Sequence, residues 1–436
     1  MSAQAIEAEL TWVDGRFAPG VRVEVADDGR IAAVGSTTEG EAGNDEANVR
    51  RLPRRALLPG FVNVHSHAFQ RGLRGRGESF PSGAGHFWLW REEMYALVAR
   101  LYRERLYELT LAAFREMRAA GITAVGEFHY LHHHDPNAHD YAFDEVILEA
   151  AAAAPIRLVL LEAFYASGGI GKPLAGAQGR FATPTVDGYW KQMDRLQAKL
   201  AGDGSQSLGA VAHSIRAATP AQIVDLHTEA RRRGLPFHMH VEEQRLEIEE
   251  CRAAYGRYPM EVLLDRVGAG PGFTAVHCTH TRREDLERFA AAGGHVCVCP
   301  LTEANLGDGI PPLADLPAAH GSLCLGSDSN ARISMLEEAR WLEYGQRLAA
   351  ERRGALRGAD GRVAPMLFAA ATRGGAAALG LDCGEIATGR WADFALVDLD
   401  HPSLAFAEAD SLLDALVFGA ADGAVAGSCV GGRWSD

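Results

Sequence analysis

Several features are scarce or missing in this 436-residue sequence, and each absence excludes a class of protein. No window of about 18 consecutive apolar residues occurs, so the sequence predicts no membrane span. The first residues, MSAQAIEAELTW, contain neither a basic segment nor an apolar segment, and they predict no signal peptide. We therefore expect a cytoplasmic protein that does not act at a membrane.

Cysteine is also scarce, and its distribution excludes a disulfide-stabilised scaffold. The number is odd, and the residues lack the compact spacing of a disulfide framework. We expect most of them to be small apolar core residues in a reducing compartment. The seven are Cys251, Cys278, Cys297, Cys299, Cys324, Cys383 and Cys429.

Positively charged residues are fewer than negatively charged ones. Lysine and arginine number 43 against 57 aspartate and glutamate residues, which gives a formal net charge of −14. A general nucleic-acid binder must neutralise phosphates, so this balance argues against that class. An anionic substrate would be repelled by the overall field and would need cationic groups placed locally in its site.

The two ends of the chain carry short strand-like segments. Residues 1–56 contain Asp-Gly pairs at 14–15 and 28–29, which are hairpin signals, and residues 384–436 have the same character. This pattern predicts one small β-sandwich subdomain assembled from both termini. The sequence between them, residues 57–383, is long enough for an α/β barrel.

Eight apolar runs alternate with helical segments in that central part. A strand-helix alternation of this kind predicts an α/β fold, a (β/α)8 TIM-type barrel. In such barrels the active site lies at the carboxyl ends of the strands. The runs cover residues 57–67, 122–130, 156–165, 208–216, 235–243, 273–280, 294–300 and 321–329.

Polar residues collect at the ends of these runs, where a metal site is expected. His65 and His67 leave the first run two residues apart, so both point to one face of a strand. His240 lies near the end of the fifth run and Asp328 near the end of the eighth. Imidazole nitrogen and carboxylate oxygen suit Zn²⁺, with Fe²⁺ or Mn²⁺ as alternatives, and a bound metal makes water acidic enough to attack at neutral pH.

Each of these residues has a plainer interpretation. A His-x-His at a strand end can be polar capping, and His238 shares a face with His240. We prefer His240 because it is nearer the end of its run and Glu243 follows it. Histidines 132–134 and 139 form a short histidine-rich loop, and we expect a solvated loop rather than a second metal site.

Glu243 and His277 are the candidates for proton chemistry beside the metal. A carboxylate there can carry a proton from the nucleophile to a leaving nitrogen, and a histidine can stabilise developing charge. Glu243 could instead be a solvated charge. His280 competes with His277, which we favour because it falls inside the strand pattern.

These residues resemble the amidohydrolase superfamily, and more narrowly its mononuclear deaminase branch. Longer strings are similar to the formimidoylglutamate deiminase family, whose members hydrolyse C–N bonds in linear amidines. The resemblance covers nearly the whole chain. The strings are HSHAFQRG (65–72), FWLWREEMY (87–95), EFHY (127–130), HSIRA (213–217), LTEANLGDG (301–309) and EEARWLEYGQRL (337–348).

The resemblance implies one zinc ion per subunit, with Fe²⁺ as an alternative, and a homodimer. It implies conversion of N-formimino-L-glutamate and water to N-formyl-L-glutamate and ammonia, a step of histidine degradation. By resemblance the roles fall on eleven residues: metal ligation on His65, His67, His240 and Asp328; catalysis on Glu243, His277 and Asp328; substrate binding on Gln70, Arg91, Tyr130, His213 and Arg216.

The residues themselves fit a dicarboxylate substrate. Guanidinium groups hold carboxylates by paired hydrogen bonds, and Arg216 and Arg91 are placed to do so. Either arginine could instead be structural, and Tyr130 and Gln70 could simply pack or cap. A protonated formamidine is a cation, for which Glu243 is a suitable counter-ion.

Two other functions remain open from the sequence. Another mononuclear deaminase, acting on guanine, cytosine, an aminopurine or a triazine, would share the metal ligands but would need groups that recognise a ring. A non-catalytic barrel that serves as an interaction scaffold would be expected to have lost ligands or Glu243, and all of them are present.

Overall fold

The structure is a computed structural model that describes residues 4–36, 48–80, 87–202, 204–314, 316 and 323–435. It contains two sheets of eight strands, one from the chain termini and one from the centre. Among the described residues, no helix has both the length and the apolar character needed to cross a membrane. All seven cysteines are buried and none forms a disulfide, as expected.

The terminal sheet combines strands from both ends of the chain, as the sequence predicts. Its order is β16-β15-β14-β5-β1-β3-β4, with β2 paired to β1. Burial alternates along β3, because one face packs on a small core and the other meets solvent. The strands are β1 Gln4–Val13, β2 Arg16–Ala18, β3 Val21–Val25, β4 Ile31–Ser36, β5 Val49–Pro59, β14 Phe394–Asp398, β15 Val425–Val430 and β16 Arg433–Trp434.

The central sheet is parallel, in the order β6 to β13. The predicted (β/α)8 architecture is confirmed, since each of the eight apolar runs contains one strand; residues 321–322 of the last run lie outside the described residues. The strands are β6 Phe61–Ser66, β7 Ile122–His129, β8 Arg157–Phe164, β9 Gln206–Ser214, β10 Phe237–Val241, β11 Phe273–His277, β12 His295–Val298 and β13 Leu323–Leu325.

The barrel closes where the first strand meets the loop after the last. Ser66 and Asp328 form a parallel bridge, and His67 N donates to Asp328 O over 2.8 Å. Every residue of β6, β7 and β8 is buried, as expected for strands covered on both faces. The closure places Asp328 beside the His-Ser-His segment, although 260 residues separate them in sequence.

The first apolar run, 57–67, divides between the two sheets at Gly60. β5 ends at Pro59 in the terminal sheet, and β6 begins at Phe61 in the barrel. A side chain at Gly60 would lie 2.1 Å from the Thr123 hydroxyl, so only glycine fits this junction. The domain boundaries at 56/57 and 383/384 stay a prediction.

Helices surround the barrel and cover its carboxyl end. α5 shows the sequence signals in full: Thr219 caps its start, Pro220 follows, and Gly234 ends it at φ +69°. The helices are α1 Phe87–Val98, α2 Arg103–Ala119, α3 Asp144–Ala153, α4 Val186–Lys199, α5 Pro220–Arg233, α6 Arg245–Tyr255, α7 Pro259–Val262, α8 Arg283–Ala291, α9 Pro300–Leu306, α10 Met335–Ala350, α11 Ala364–Ala370, α12 Arg373–Leu379 and α13 Leu412–Phe418.

Candidate active site

A pocket opens at the carboxyl ends of the barrel strands, and the predicted site residues converge on it. His65 is fully buried at its base, where its ring contacts the rings of His67, His240 and His277. The other ten predicted residues line the pocket: His67, Gln70, Arg91, Tyr130, His213, Arg216, His240, Glu243, His277 and Asp328. The structure therefore brings all eleven predicted residues to one location, and the role of each stays a prediction.

Four of these side chains direct donor atoms at one another, and we call His65, His67, His240 and Asp328 the pocket cluster. Asp328 Oδ1 lies 3.4 Å from the Nε2 atoms of both His65 and His67. His240 Nε2 lies 3.1 Å from His65 Nε2 and 3.4 Å from His67 Nε2.

These separations fit a metal site. A tetrahedral zinc centre with bonds of about 2.0–2.1 Å places its ligands roughly 3.3 Å apart, close to the observed distances. Two neutral imidazole nitrogens form a hydrogen bond only if one of them carries a hydrogen. The pocket-facing nitrogens cannot all be paired in this way, because their hydrogens would have to occupy the same space. The cluster can therefore hold a divalent metal ion, with three imidazole nitrogens and one carboxylate as donors. His65, His240 and Asp328 also form a mutually close donor group with His277, and the distances of His67 Nε2 to His240 and Asp328 bring it into the same group.

The outer nitrogens of two of these imidazoles are fixed by backbone carbonyl groups. His67 Nδ1 lies 2.8 Å from Phe128 O, and His240 Nδ1 lies 2.9 Å from His213 O. Each Nδ1–H donates to its carbonyl, which leaves the Nε2 lone pair directed into the cluster. This pairing is the arrangement that orients histidine ligands in metal sites.

Burial keeps these imidazoles neutral. It lowers the pKa of His65 and His240, and lowers that of His67 to about 3. A neutral imidazole has the free lone pair that a metal ligand requires. His238, the rival of His240, lies elsewhere: its Nε2 is 3.1 Å from Ala378 O.

A buried polar network fixes the loop that carries Asp328. Asn63 Nδ2 donates to Ser327 Oγ over 2.7 Å, and Ser327 Oγ donates to Asn330 Oδ1 over 2.7 Å. Asn330 Nδ2 in turn donates to Ser66 Oγ over 3.0 Å. Asp328 itself is held at φ +44°, a conformation that costs a non-glycine residue free energy and that this network supports.

Glu303 is a site residue that the sequence reasoning missed. His277 Nδ1 lies 3.3 Å from Glu303 Oε1, so Glu303 orients the ring and directs its Nε2 toward Asp328 Oδ2, 3.9 Å away. Burial by itself lowers the pKa of His277, but the surrounding carboxylates, Glu243 foremost, raise it to about 10. Glu303 lies soon after β12, and the strand-end rule applied to that run would have found it.

Glu243 lies between two cationic groups. Its Oε1 is 4.0 Å from His277 Nε2, and its Oε2 is 3.7 Å from Arg216 Nη2. Burial raises the pKa of Glu243, while the charges of His277 and Arg216 oppose that rise. Arg216 is not a free cation, because its Nε donates to Glu247 over 2.8 Å, a pairing that the sequence did not reveal.

Arg91 has the free charge that Arg216 lacks. In the part of the chain that the structure describes, it forms no ion pair, and its buried Nε has no hydrogen-bond partner. Its guanidinium stacks 4.6 Å from the centre of the Trp88 ring and 5.3 Å from that of Tyr95. The group can therefore accept a carboxylate from a ligand without breaking an existing pair.

Neutral polar groups complete the wall opposite Glu243. Gln70 Nε2 donates to the Tyr130 hydroxyl over 2.8 Å, and the buried Gln70 Oε1 has no partner among the described residues. Burial raises the pKa of Tyr130 and lowers that of His213 far below its ordinary value. Both side chains are therefore uncharged and can donate or accept single hydrogen bonds.

The histidine-rich loop differs from expectation. We expected histidines 132–134 and 139 to be solvated, yet His132 and His133 have no exposed surface, whereas His134 and His139 are exposed. The prediction is wrong for His132 and His133 because contacts with Arg180, Asp144 and Ala182 bury them. His133 Nε2 lies 2.8 Å from Ala182 O, which satisfies it internally.

His132 belongs to a second group of titratable side chains, the buried cluster, which comprises His129, His132, Asp144 and Glu162. His132 Nδ1 lies 3.0 Å from Asp144 Oδ1 and 3.2 Å from Glu162 Oε1. Burial alone would lower the pKa of His132, but the two carboxyl groups raise it well above its ordinary value. Burial also raises the pKa of Glu162 to about 8, so Glu162 is mainly uncharged at neutral pH. The His132 imidazolium is then balanced by the Asp144 carboxylate.

The chain matches the Amidohydrolase family over residues 56–435. It is 41% identical over 438 residues to the formimidoylglutamate deiminase of Pseudomonas aeruginosa, covering 99% of this chain and 94% of that one. It is 31% identical over 392 residues to the 8-oxoguanine deaminase of the same organism, covering 87% and 82%.

A solved structure agrees with these matches. The crystal structure of an amidohydrolase from Brucella melitensis superimposes with a TM-score of 0.89 at 34% identity, covering 99% of this chain and 94% of that one. The family match spans the barrel and the carboxyl-terminal strands that pack beside it. On the fold, the histidine and aspartate donor set and these matches, the chain belongs to the amidohydrolase family.

Proposed function

We propose that this protein hydrolyses N-formimino-L-glutamate to N-formyl-L-glutamate and ammonia, a step of histidine degradation. The observation that carries the proposal is the placement of two guanidinium groups, Arg91 and Arg216, in the same pocket as the pocket cluster. A substrate with two carboxylates and an amidine end matches that arrangement. The similarity to the Pseudomonas aeruginosa formimidoylglutamate deiminase supports the same substrate.

Arg91 binds one substrate carboxylate in this proposal. Its guanidinium is unpaired among the described residues, so binding an anion there costs no existing ion pair. Arg216, Tyr130 and His213 face the same space and supply donors for the second carboxylate. The overall charge of −14 repels a dianion, which makes these local donors necessary.

The pocket cluster holds one metal ion per subunit, which we propose to be Zn²⁺, with Fe²⁺ as the alternative. His65, His67, His240 and Asp328 are the ligands, and their donor types and spacing fit zinc. When bound, such an ion supplies a water molecule whose pKa is lowered toward about 7.

Three side chains handle protons and charge around the reacting carbon. Asp328 accepts a proton from the attacking water, and Glu243 carries a proton to the nitrogen that leaves as ammonia. Glu243 also faces the amidinium cation from its position in the pocket, and its raised pKa suits it to bind and release the proton that it carries. His277 donates from Nε2 to the oxygen on which negative charge develops, while Glu303 holds its other nitrogen.

A ring deaminase is the competing function, because the 8-oxoguanine deaminase has the same fold family at 31% identity. An uncharged purine would leave the Arg91 guanidinium in the pocket without an anionic partner, which is unfavourable. A non-catalytic scaffold is less well supported, since every proposed ligand and Glu243 face the pocket.

Ammonia release tests the proposal directly. Metal-loaded protein is supplied in turn with N-formimino-L-glutamate, guanine, cytosine, 8-oxoguanine and an aminotriazine, and N-formyl-L-glutamate is identified by mass spectrometry. We expect release from N-formimino-L-glutamate alone, and none from the Glu243→Gln variant. Release from a ring compound but not from N-formimino-L-glutamate would reject the proposal.

We also propose that the protein is a cytoplasmic homodimer. The proposal rests on the family resemblance, and the described residues include exposed apolar side chains on α10, Trp341 and Leu348, that a second subunit could cover. Analytical ultracentrifugation at micromolar concentration tests it. A sedimentation coefficient matching the 46.8 kDa monomer would contradict it.

A further inference from the structure

We propose that Arg180 is a positioning residue for substrate recognition, which holds the end of α1 so that Arg91 faces the pocket. Arg180 does not line the pocket and would not touch the substrate. It acts on the helix that carries Arg91. The inference rests on the proposed function, because it takes Arg91 as the group that binds a substrate carboxylate.

Arg180 is a buried cation bonded to carbonyl oxygens. Only 2% of its surface is exposed, and it forms no ion pair in the described ranges. Its Nη1 donates to Val98 O and its Nη2 donates to Leu101 O over 2.9 Å. Its Nε donates to His133 O over 2.9 Å.

Two of the three bonded carbonyls, Val98 O and Leu101 O, belong to the end of α1 and the residues just after it, and the third is His133 O. The last carbonyls of a helix lack donors within the helix and carry the negative end of its dipole. Val98 O, at the last residue of α1, accepts from Leu101 N over 3.1 Å, and Arg180 adds a second donor and a positive charge where the dipole favours one. A guanidinium presents five donors in a rigid fork, whereas a lysine ammonium cannot reach three carbonyls in these directions.

The segment that carries Arg180 is itself anchored. Arg180 lies in a 3-10 turn, Gly176–Phe181, and its own carbonyl accepts hydrogen bonds from the backbone N–H groups of His132 and His133, both at 3.0 Å. Gln178 of the same turn donates to the Tyr95 hydroxyl over 3.0 Å. The turn therefore holds α1 at two points, Tyr95 and Val98.

Arg91 lies on the helix face that this turn holds. Residues four apart in a helix are neighbours, so Arg91 lies beside Tyr95. Tyr95 in turn lies about one turn before Val98, which Arg180 binds. The two rings that flank its guanidinium, Trp88 and Tyr95, are on α1 as well. Nothing else described in the chain pairs with Arg91, so the placement of α1 sets where its charge lies.

Steady-state kinetics of Arg180→Lys test the inference. We expect the KM for N-formimino-L-glutamate to rise about 10- to 100-fold, because a shift of about 1 Å in a positioning group has effects of that size. We expect kcat to change less than about 3-fold and the metal content to stay at the wild-type value, since the pocket cluster is untouched. An unchanged KM in a folded variant would overturn the inference.

A double-mutant comparison separates positioning from a general structural role. Arg91→Met should raise KM by itself, and adding Arg180→Lys should then change KM by less than about 2-fold, because the two residues act through one contact. If Arg180→Lys raises KM equally with and without Arg91, the inference is wrong.

Gln178→Met serves if Arg180→Lys does not fold, because it removes the bond to Tyr95 and keeps Arg180. It also removes the bonds of Gln178 to Ala175 N, the Tyr165 hydroxyl and Gly168 O. It should raise KM less than Arg180→Lys does, again without loss of metal, and an unchanged KM contradicts the inference. Hydrogen exchange of α1 gives a readout that does not depend on the substrate. Hydrogen exchange should be faster in α1 of either variant than in α1 of the wild type, and unchanged in α2. Equal α1 exchange rates in both variants and the wild type would contradict the inference. Failure of the wild type to release ammonia would reject only the proposed function.

Discussion

The pocket cluster and the buried cluster use the same types of side chain at the same end of the barrel, but they are satisfied differently. In the pocket cluster, carbonyl groups bind the outer nitrogens of His67 and His240, and the inner nitrogens converge with no hydrogen between them. In the buried cluster, His132 Nε2 lies 2.8 Å from Ala163 O, and Nδ1 faces two carboxyl groups.

The difference shows what distinguishes a metal site from a structural ion pair. The buried cluster balances its own charge, since a protonated His132 faces a carboxylate and Gln192 donates to Asp144 over 2.6 Å. The pocket cluster has three neutral imidazoles and one carboxylate beside a pocket. The inner nitrogens of His67 and His240 face the pocket and are available to a metal ion, because their outer nitrogens are already satisfied. A group closed on itself contributes to stability instead.

The largest expected effect comes from the proton-carrying group next to the pocket cluster. Glu243→Gln should lower kcat by about 10²- to 10⁴-fold, because the amide cannot accept and return a proton. Metal content should remain at the wild-type value, since Glu243 is not a proposed ligand. Parallel measurement of ammonia release and bound metal checks both, and a variant with near wild-type kcat would remove Glu243 from the mechanism.

A change in the buried cluster should act on stability instead of activity. His132→Gln leaves Asp144 and Glu162 without a cation, and we expect the free energy of unfolding to fall by about 3 kcal/mol, as for other broken buried pairs. Urea denaturation measures this fall. Metal content and the kcat of the folded variant should stay within about 2-fold of wild type; loss of the metal would contradict the comparison.

The loss of stability in His132→Gln should depend on pH, in a direction that the pKa of His132 sets. The folded-state pKa of His132 is raised, so its contribution is fully present below the unfolded pKa of about 6.5 and is lost as pH rises through the folded value. The stability difference between wild type and His132→Gln should therefore be larger at pH 6 than at pH 9. A difference that grows with pH would show that His132 is not held as an imidazolium.

Glu303→Gln should have an intermediate effect on catalysis. The amide still reaches His277 but no longer supports its positive charge, and we expect kcat to fall about 10- to 100-fold, as for other groups that orient a site residue. KM should change little, because Glu303 does not line the pocket. Equal loss in kcat and rise in KM would assign Glu303 to substrate binding.

The smallest effect should come from His134→Gln, the matched control in the histidine-rich loop. His134 is exposed and pairs only with Asp140, so its removal should change the free energy of unfolding by less than about 0.5 kcal/mol. Thermal and urea denaturation beside His132→Gln compare the two positions. Equal destabilisation by both variants would contradict the assigned difference in burial.

The barrel and the strand-end residues of the pocket could be predicted from the sequence because both depend on periodicity, whereas Gln70 and Arg91 were assigned by resemblance. Apolar runs of strand length give the eight strands, and the strand-end rule places His65, His240 and Asp328 at one end of them. The loop histidines could not be predicted in this way. His133 and His134 are adjacent in sequence and alike in type. The contact with Ala182 buries His133, whereas His134 is exposed.

Pairings between side chains that are remote in sequence could not be predicted either. Arg216 was expected to hold a substrate carboxylate, and the sequence did not reveal that Glu247, in the first turn of α6, also binds it. Glu303 reaches His277 from a different strand-end segment, and Arg180 reaches α1 across 82 residues. No spacing rule links such residues, because their proximity results from how the loops pack after the barrel has formed.

Metal stoichiometry in purified protein tests the central claim most directly. Elemental analysis by mass spectrometry is applied to wild type, His240→Ala and His132→Gln, each purified in the same way. The account predicts one divalent metal per chain in wild type and in His132→Gln, and none in His240→Ala. Metal retained by His240→Ala, or lost from His132→Gln, would contradict it.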